Sequence, residues 1–324
     1  MNNLILAPEK IKHFREISNM TQQQLAETTG ISLPNFKSVE SGRSTTTKAN
    51  VEKIAKALNV DINELYKKDT VVLTFGLHKG GCGKTTTTGL ITSTLARMGY
   101  KILLIDGDMQ MNLTHSFGMK TNPEKNLARV LTEEEDVRLN IQKTLYENIH
   151  MVVADTSMST IELSLISRFS RETILLKQLM PVIEEGIYDF IIFDTNPSLN
   201  VLNTNIFVAS DYILVPITPE PFGVEGLKHF IGFIDDVRKI NTNLKIAGII
   251  MTKVDSREGV TEAVMHMIRQ TFGSTHIFKT VFPTDTKIKQ SQLASIPLLQ
   301  YSPESRTIKA AEKITEEVLK IVAS

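Results

Sequence analysis

The sequence of 324 residues has a single cysteine, no excess of charge of either sign and no long apolar run. One cysteine excludes an internal disulfide framework and is typical of a reducing cytosol. The 36 basic and 36 acidic residues give a formal net charge of zero, so a nucleic-acid contact would have to come from local basic patches. No apolar run approaches the ~20 residues that cross a bilayer, and the first residues do not resemble a signal peptide. These absences predict a cytoplasmic protein without membrane contact.

Two sequence textures meet near residue 70. The hydrophobic fraction of 41% and the charged fraction of 22% are ordinary for a globular protein, and the length leaves room for a large and a small domain. Short helical patterns fill residues 8–66, whereas apolar strand-like runs alternate with helical stretches from Thr70 onward. We therefore predict a small all-α domain over residues 1–69 and a larger domain over residues 70–324.

The first domain contains the signals of two consecutive short helices. Thr21 and Gln24 have the spacing of a capping box, and the helix that they open is predicted to end at Gly30. Ser32 can cap a second helix that runs to about Glu40, with a proline tolerated in its first turn. A helix, a short turn with glycine and a second helix form a helix-turn-helix arrangement. The same pattern also fits a helical bundle used only for protein contacts or dimerisation.

The string TQQQLAETTGISLPNFKSVESGR, followed by VEKIAKALNVDINELY, is similar to the Cro/C1-type repressor family. This resemblance implies that residues 32–40 form the recognition helix, which enters the major groove of an operator. The residues implied to bind DNA are Ser32, Leu33, Pro34, Lys37 and Ser38 on that helix, with Gln22 and Arg43 on the phosphates.

The second domain has the pattern of an α/β protein. Apolar runs that predict buried strands lie at 71–77, 102–105, 149–153, 190–193, 212–215, 246–251 and 276–281. Helical stretches separate most of them, which predicts a mostly parallel, doubly wound sheet with helices on both faces. Ligands of such sheets bind at the carboxyl ends of the strands.

A glycine-rich segment, TFGLHKGGCGKTTTT, occupies the carboxyl end of the first of these strands. The phosphate-loop pattern G-x-x-x-x-G-K-[ST] is met by Gly83, Lys84 and Thr85, but His78 stands where the first glycine is expected, and Lys79 follows it. The glycines would let backbone N–H groups approach phosphate oxygens at the start of a helix, which is predicted over residues 84–97. Lys84 would then reach the β- and γ-phosphates, and Thr85 would ligate Mg²⁺. The alternative is a glycine-rich turn without a ligand.

Three aspartates follow predicted strands. Asp106 and Asp108 end the second strand, and Asp194 ends the fourth. A carboxylate beside a triphosphate can hold Mg²⁺, and one slightly further out can position the attacking water. Taken singly, each could instead be a helix cap or a turn residue. Their order behind a phosphate loop favours the functional interpretation.

The glycine-rich loop resembles the deviant Walker A motif, K-G-G-x-G-K-T-[ST], of the ParA/MinD family of P-loop ATPases. Two further segments resemble the ParA pattern: D-x-D-P-Q-x-N, with Met109 in place of proline, and D-x-P-P-S-L, with Asn196 in place of the first proline. The resemblance implies that ATP and Mg²⁺ are cofactors. It also implies that Lys79 reaches across a two-fold interface to the phosphates bound by a partner protomer, so that ATP holds a sandwich dimer together.

The same resemblance implies roles for individual residues. Asp108 would orient the attacking water, Asp194 would be an outer-sphere Mg²⁺ partner, and Asp106 would be a switch residue near the metal. The implied catalytic residues are Lys79, Lys84 and Asp108, and the implied metal residues are Thr85, Asp106 and Asp194. The implied ATP-binding residues of the loop are Lys79, Gly80, Gly81, Cys82, Gly83, Lys84, Thr85 and Thr86. Those implied to lie near the adenine are Lys253, Pro283, Thr284 and Asp285.

These resemblances imply a nucleoid-associated DNA-segregation ATPase that is a homodimer, is stimulated by DNA and a centromere-binding ParB-like protein, and represses its own promoter. Nonspecific DNA would bind basic residues of the C-terminal half, with Arg238, Lys239, Lys245, Arg269 and Lys279 as candidates. The alternative is a nucleotide-sensing repressor in which hydrolysis is incidental. A membrane switch would need a basic amphipathic C-terminal helix, but the end, AAEKITEEVLKIVAS, carries three glutamates and is predicted to pack on the core. An iron–sulfur reductase would need more cysteines than Cys82.

Overall fold

The computed structural model describes residues 4–68, 70–220, 223–255, 260–272 and 276–323. The chain divides into two compact units, Met1–Asp69 and Thr70–Ser324. Residues 1–3 and 69 of the predicted helical domain and residue 324 of the predicted second domain lie outside the described residues.

The first unit is a helical bundle closed by a two-stranded antiparallel pairing of its ends. Its elements are β1 (Leu4–Leu6), α1 (Pro8–Ile17), α2 (Gln22–Thr29), α3 (Leu33–Glu40), α4 (Lys48–Leu58), a 3₁₀ turn (Ile62–Leu65) and β2 (Tyr66–Lys68). The capping box predicted at Thr21 and Gln24 is confirmed, and Gly30 ends α2 at a φ of 68°. The side chain of Ser32 precedes α3 without making the capping hydrogen bond expected of it.

A buried ion pair ties α1 to the end of α3. Nε of Arg15 donates to Oε1 of Glu40 at 2.6 Å, and the side chain of Glu40 is only 2% exposed. Gln22, at the start of α2, donates to the other carboxylate oxygen of Glu40. Since a buried carboxylate is costly without partners, this network fixes the angle between α1, α2 and α3.

The second unit alternates strands and helices. Its elements are β3 (Val71–Phe75), α5 (Lys84–Arg97), β4 (Ile102–Gly107), α6 (Asn112–Ser116), α7 (Leu127–Thr132), α8 (Val137–Asn140), β5 (Gln142–Lys143), β6 (Ile149–Val152), α9 (Ile161–Ile166), α10 (Ile174–Glu185), β7 (Phe190–Thr195), α11 (Val201–Val208), β8 (Tyr212–Ile217), α12 (Gly223–Val237), β9 (Lys245–Met251), α13 (Val260–Phe272), α14 (Thr286–Leu293), α15 (Leu298–Tyr301) and α16 (Arg306–Val322), with 3₁₀ turns at Thr156–Thr160 and Arg171–Thr173.

Seven strands form one sheet in the order β5-β6-β4-β7-β3-β8-β9. All neighbours are parallel except the short edge strand β5, which the sequence did not predict and which pairs antiparallel with β6. The mostly parallel, doubly wound sheet is therefore confirmed. Strand β7 lies between β3 and β4, so Phe75, Asp194 and Asp106 stand side by side at the carboxyl edge.

The strand predicted at 276–281 is wrong. This segment runs along the free edge of β9 but makes only an isolated bridge between Ile277 and Ile249. Its hydrogen bonds to β9 resume only at Phe282, whose N–H donates to the carbonyl of Met251 at 2.9 Å. A bend at residues 279–280 separates the two contacts, and Pro283 has no N–H to continue the ladder.

Helices cover both faces of the sheet. Helix α16 packs against α5, and its buried residues Ile308, Ala311, Ile314 and Val318 join the core formed with β3 and β4. The expectation of a core-packing C-terminal helix is thus confirmed. The opposite face is covered by α7, α9, α10 and α11 over one part of the sheet and by α12 and α13 over another. Among the described residues, no helix combines the length and the apolar composition that a membrane span requires.

Candidate functional site

The glycine-rich loop connects β3 to α5 at the carboxyl edge of the sheet. Gly81 and Gly83 adopt φ values of 72° and 87°, a left-handed region that residues with a Cβ rarely enter. Helix α5 begins at Lys84, as the sequence predicted, and ends at Arg97. The loop therefore meets the N-terminus of a 14-residue helix, where unpaired N–H groups favour an anion.

A cavity of about 490 Å³ opens beside this loop. Its walls come from four places: the loop with the first turns of α5, the segments after β4 and β7, the segment after β9, and helix α14. The lining residues are Gly80, Gly81, Cys82, Gly83, Lys84, Thr85, Thr86, Thr87, Leu90, Asp108, Asn112, Thr195, Pro197, Thr252, Lys253, Phe282, Pro283, Thr284, Asp285, Ile288, Lys289 and Gln292. The structure thus brings most of the ATP-binding residues implied by the sequence to one cavity.

The two loop lysines lie in different environments. Lys84 is buried and lines the cavity, where its Nζ donates to the carbonyls of Leu77 and Lys79 at 3.1 and 2.9 Å. Lys79 is not among the lining residues. Its Nζ lies 2.5 Å from Oε2 of Glu220, and the hydrogen bond from Lys79 lowers the pKa of that carboxyl. One lysine is therefore available to a ligand in the cavity, and the other is held by an acidic side chain outside it.

Two carboxylates stand in register on adjacent strands, and both are fully buried. Asp106 accepts hydrogen bonds from Asp108 N at 3.1 Å and from both the N–H and the hydroxyl of Thr114 at 2.8 and 2.7 Å. Asp194 accepts one from the Thr88 hydroxyl at 3.2 Å, and its Oδ2 is buried without a partner among the described residues. Burial raises the pKa of Asp106 to about 6, and burial together with the charge of Asp106 raises that of Asp194 to about 7.

The chemistry of this edge fits a hard cation bound with a triphosphate. Mg²⁺ takes oxygen ligands and keeps several waters, and it usually needs only one or two carboxylates from the protein. The described residues contain no group of three or more His, Cys, Asp or Glu placed to hold a metal by themselves. The unpartnered oxygen of Asp194 would accept from a metal-bound water. Thr85 lines the cavity, and its side chain is close enough to Asp194 to oppose the rise in the pKa of that carboxyl.

Asp108 lies at the cavity wall with Asn112. Its Oδ1 accepts a hydrogen bond from the backbone N–H of Gln110 at 2.9 Å, which fixes one oxygen of the carboxylate. Met109 stands where the family pattern has proline, and it is 46% exposed. Asp108 thus lies beside the phosphate loop and forms no ion pair with another described residue.

Cys82 is a packing residue of the loop. It is 1% exposed within an apolar cluster around α12, and burial raises the pKa of its thiol. A raised pKa disfavours the thiolate that a nucleophile needs.

The residues expected near an adenine close the cavity from the side of β9. Nζ of Lys253 donates to the carbonyl of Gly81 at 2.6 Å, and the Thr284 hydroxyl donates to the carbonyl of Lys253 at 3.0 Å. Asp285 caps α14 and also accepts from the Thr307 hydroxyl at 2.7 Å. Its carboxylate is therefore engaged in the fold, so this segment offers a ligand mainly its backbone and Pro283.

The helix-turn-helix face belongs to the first unit. Ser32, Pro34 and Lys37 are exposed on or just before α3, whereas Leu33 is half-buried against the core of that unit. Gln22 donates to Glu40, and the exposed Arg43 donates to the Ser41 hydroxyl at 2.9 Å. The half-buried Ser38 completes the implied set, and Asn35, which the sequence analysis passed over, is exposed on the same helix.

The candidate nonspecific DNA contacts lie apart from the cavity. Arg238 and Lys239, which follow α12, pair with Asp235 and Asp236 at 2.8 and 2.6 Å. Lys245 begins β9 and lies 5.7 Å from the centre of the Tyr212 ring, at the amino edge of the sheet. Arg269 on α13 and Lys279 after it are exposed.

Sequence reasoning missed several residues of the site. They are Glu220 after β8, Thr88 on α5, Thr195 at the end of β7 and Gln292 on α14. Glu220 follows the end of β8 by three residues and could have been noted as a strand-end carboxylate, like the aspartates. Nothing in the local pattern marks Gln292, because its place in the cavity depends on how α14 packs.

Two family profiles match this chain, one in each of its two units. A family profile described as an AAA domain matches residues 70–246, and one described as helix-turn-helix matches residues 11–65. The sporulation initiation inhibitor protein Soj of Bacillus subtilis is 32% identical over 243 residues, covering 74% of this chain and 95% of Soj. The chromosome partitioning protein ParA of Caulobacter vibrioides is 32% identical over 250 residues, covering 76% of this chain and 93% of ParA.

A solved structure extends the comparison to the fold. Cobyrinic acid a,c-diamide synthase from Mycobacterium smegmatis, with a bound ATP analogue and magnesium, matches with a TM-score of 0.69 at 26% identity. The match covers 79% of this chain and 96% of the synthase. The relatives are therefore matched over nearly their full length, and about a quarter of this chain lies outside the match.

Proposed function

The chain belongs to the ParA/Soj family of partition ATPases and has a helix-turn-helix domain ahead of the ATPase domain, and from this premise we propose that it is a DNA-segregation ATPase that dimerises on ATP. Hydrolysis then switches the dimer off, and the helix-turn-helix domain represses the protein's own promoter. The observation that carries this proposal is the separation of the two loop lysines. Lys84 lines the cavity, whereas Lys79 lies outside it on Glu220.

This separation supports a role for Lys79 across an interface. Lys84 already supplies the positive charge that β- and γ-phosphates need within one protomer. An ammonium outside the cavity but on the same loop can reach phosphates bound by a second copy placed face to face with the first. ATP would then bridge two protomers, and loss of the γ-phosphate would remove much of the interaction that favours the dimer.

Mg²⁺ would be held by Thr85 directly and by Asp194 through water, with Asp106 fixing the adjacent strand end. When bound, the ion would neutralise charge that develops on the phosphates. Asp108 would orient the attacking water, since it lies at the cavity wall with one oxygen fixed by Gln110 N. The ATP analogue and magnesium in the Mycobacterium smegmatis synthase support these cofactors.

DNA would be bound in two ways. The face of α3 around Pro34 and Lys37 would read an operator, with Gln22 and Arg43 near phosphates. The ATP-bound dimer would bind DNA of any sequence through basic residues such as Lys245 and Arg269, and a centromere-binding ParB-like partner would stimulate hydrolysis. The implied location is the bacterial nucleoid.

A nucleotide-sensing repressor is the second candidate. The helix-turn-helix profile favours it as much as the segregation role, because operator binding is common to both. Only partner-stimulated turnover and ATP-dependent binding to random DNA separate the two.

The test is ATP turnover of the full chain with and without random DNA and the product of the neighbouring gene. We expect weak turnover alone and a clear increase with both additions. Turnover that neither addition changes would exclude the segregation role and favour the repressor.

Dimerisation is tested separately, by sedimentation with and without ATP. Lys79→Ala should abolish the ATP-dependent dimer, and Lys125→Ala, which changes an exposed lysine outside the cavity, should leave it unchanged. An intact dimer in Lys79→Ala would show that this lysine does not act across the interface.

A further inference from the structure

Four consecutive threonines follow Lys84 at the start of α5, and the last of them does not line the cavity. Thr88 is fully buried. Its hydroxyl oxygen lies 3.2 Å from Oδ1 of Asp194 and 3.0 Å from the carbonyl oxygen of Lys84. The hydroxyl therefore connects the helix that carries the loop lysine to the carboxylate at the end of β7.

The two oxygens of Asp194 have different environments. Oδ1 accepts from Thr88, whereas Oδ2 is buried and has no partner among the described residues. The neighbouring Asp106 differs, since Asp108 N and both donors of Thr114 occupy its two oxygens. Of these two carboxylates, Asp194 is thus the one that keeps an oxygen available, and Thr88 contacts its other oxygen.

We propose that Thr88 is a positioning residue for ATP hydrolysis: its hydroxyl holds Oδ1 of Asp194 and leaves Oδ2 directed to a water of the nucleotide-bound Mg²⁺. The proposal rests on the proposed function, in which Asp194 is the outer-sphere partner of the metal. Thr88 touches neither nucleotide nor metal and acts only through Asp194. Groups that orient metal ligands in this way typically change metal affinity by about 10- to 100-fold when removed.

The contact to Lys84 offers a purely structural role, because threonines inside helices commonly donate to the carbonyl four residues earlier. Thr94 on the same helix does this, donating to the carbonyl of Leu90 at 2.8 Å. Thr88 differs in having a carboxylate as a second acceptor, and its hydroxyl has only one hydrogen to donate. A carboxylate oxygen is a stronger acceptor than a backbone carbonyl, so Asp194 competes with Lys84 for this hydrogen.

The test compares three variants of the full chain. Thr88→Val removes the hydroxyl at nearly constant volume, and Thr88→Ser restores it. Thr92→Val is the matched control, since Thr92 lies one turn further along α5, is equally buried and has a hydroxyl without a partner among the described residues. Affinity for a fluorescent ADP analogue is measured in EDTA and through a Mg²⁺ titration, and Tm is measured without nucleotide.

We expect Thr88→Val to need about tenfold more Mg²⁺ for half of the gain in nucleotide affinity. Its affinity in EDTA should equal that of the unsubstituted protein, and Thr88→Ser and Thr92→Val should behave like the unsubstituted protein in both conditions. If Thr88→Val does not fold, Thr88→Ala takes its place with the same expected shift.

Two results with the variants would overturn the proposal. One is an unchanged Mg²⁺ midpoint in the hydroxyl-free variant, and the other is an equal loss of affinity in EDTA and in Mg²⁺, which a structural role of Thr88 would produce. An unsubstituted protein whose nucleotide affinity does not respond to Mg²⁺ would overturn it as well. A protein that shows the expected Mg²⁺ shift but forms no ATP-dependent dimer would refute the proposed switch and leave the role of Thr88 standing.

Discussion

The ion pair between Lys79 and Glu220 makes a quantitative prediction about dimerisation. If Lys79 must reach a partner's phosphates, it must first leave Glu220, from which its Nζ is 2.5 Å away. We therefore expect Glu220→Gln to favour the ATP-bound dimer, because a neutral amide holds the ammonium less strongly. The variant changes no residue that lines the cavity.

The size of this effect follows from exposure. The Lys79 side chain is 27% exposed and that of Glu220 is 57% exposed, so solvent screens the attraction between them. An exposed ion pair of this kind typically contributes about 0.5 kcal/mol to stability. A symmetric dimer breaks two such pairs, which together amount to roughly 1 kcal/mol, or about a fivefold lower dimer Kd. Because salt screens exposed charges, the difference should shrink at 0.5 M salt, where the Debye length falls to roughly 4 Å.

The assay is sedimentation equilibrium with a slowly hydrolysed ATP analogue at low and high salt. Asp236→Asn is the matched control, since it removes the partner of Lys239 from another exposed pair of 2.6 Å far from the loop. A dimer Kd that rises in Glu220→Gln would refute the reasoning, because it would mean that Glu220 itself supports the interface. An unchanged Kd at low salt would mean that the pair does not compete with dimerisation.

Four further predictions concern stability, nucleotide binding and operator binding. Burial raises the pKa of Asp194 from 3.8 to about 7. Its ionisation therefore lowers the stability of the nucleotide-free protein as the pH rises between these values. Because asparagine cannot ionise, Asp194→Asn should raise Tm more at pH 8 than at pH 4. Gly107→Ala should lower Tm by several degrees and weaken nucleotide binding in equilibrium titrations, because a Cβ there would lie 2.5 Å from the backbone oxygen of Asp194. Arg15→Met leaves Glu40 without its cationic partner and should destabilise the first unit by about 3–5 kcal/mol, seen as faster proteolysis and lost operator binding. Arg43→Ala, in contrast, should weaken operator binding in a gel-shift assay with no change in Tm, and an equal change in Tm would contradict its surface role.

Most of the fold could be predicted because its signals are local. Six of the seven predicted strands coincide with observed strands, since each is a continuous apolar run bounded by turns, and α5 has the predicted bounds at Lys84 and Arg97. The two failures have different physical causes. The segment 276–281 is apolar enough for a strand, but only its position beside β9 and the proline after it decide how far it pairs. The two-residue β5 is too short to leave a pattern.

The candidate site divides in the same way. Lys84, Thr85 and Asp108 could be named from the sequence because each lies within a few residues of the loop or of a strand end. The contacts of Glu220 and Thr88 could not be inferred, because each joins residues far apart in the chain: Glu220 contacts Lys79 across 141 residues, and Thr88 contacts Asp194 across 106. Local spacing carries no information about such pairs.

Strand order explains why residues so distant in the chain lie near one edge of the sheet. Strand β7 lies between β3 and β4, although β4 follows β3 along the chain and β7 comes more than eighty residues after β4. This order sets Asp194 in register with both Phe75, just before the phosphate loop, and Asp106, just before Asp108. A phosphate bound on the loop as proposed would face three adjacent strand ends at once: the loop after β3, Asp194 at the end of β7 and Asp106 at the end of β4. The backbone hydrogen bonds of the sheet join these three strand ends. Loss of the γ-phosphate would therefore remove a contact from all three at once, and the proposed switch would not require a separate signal to each segment.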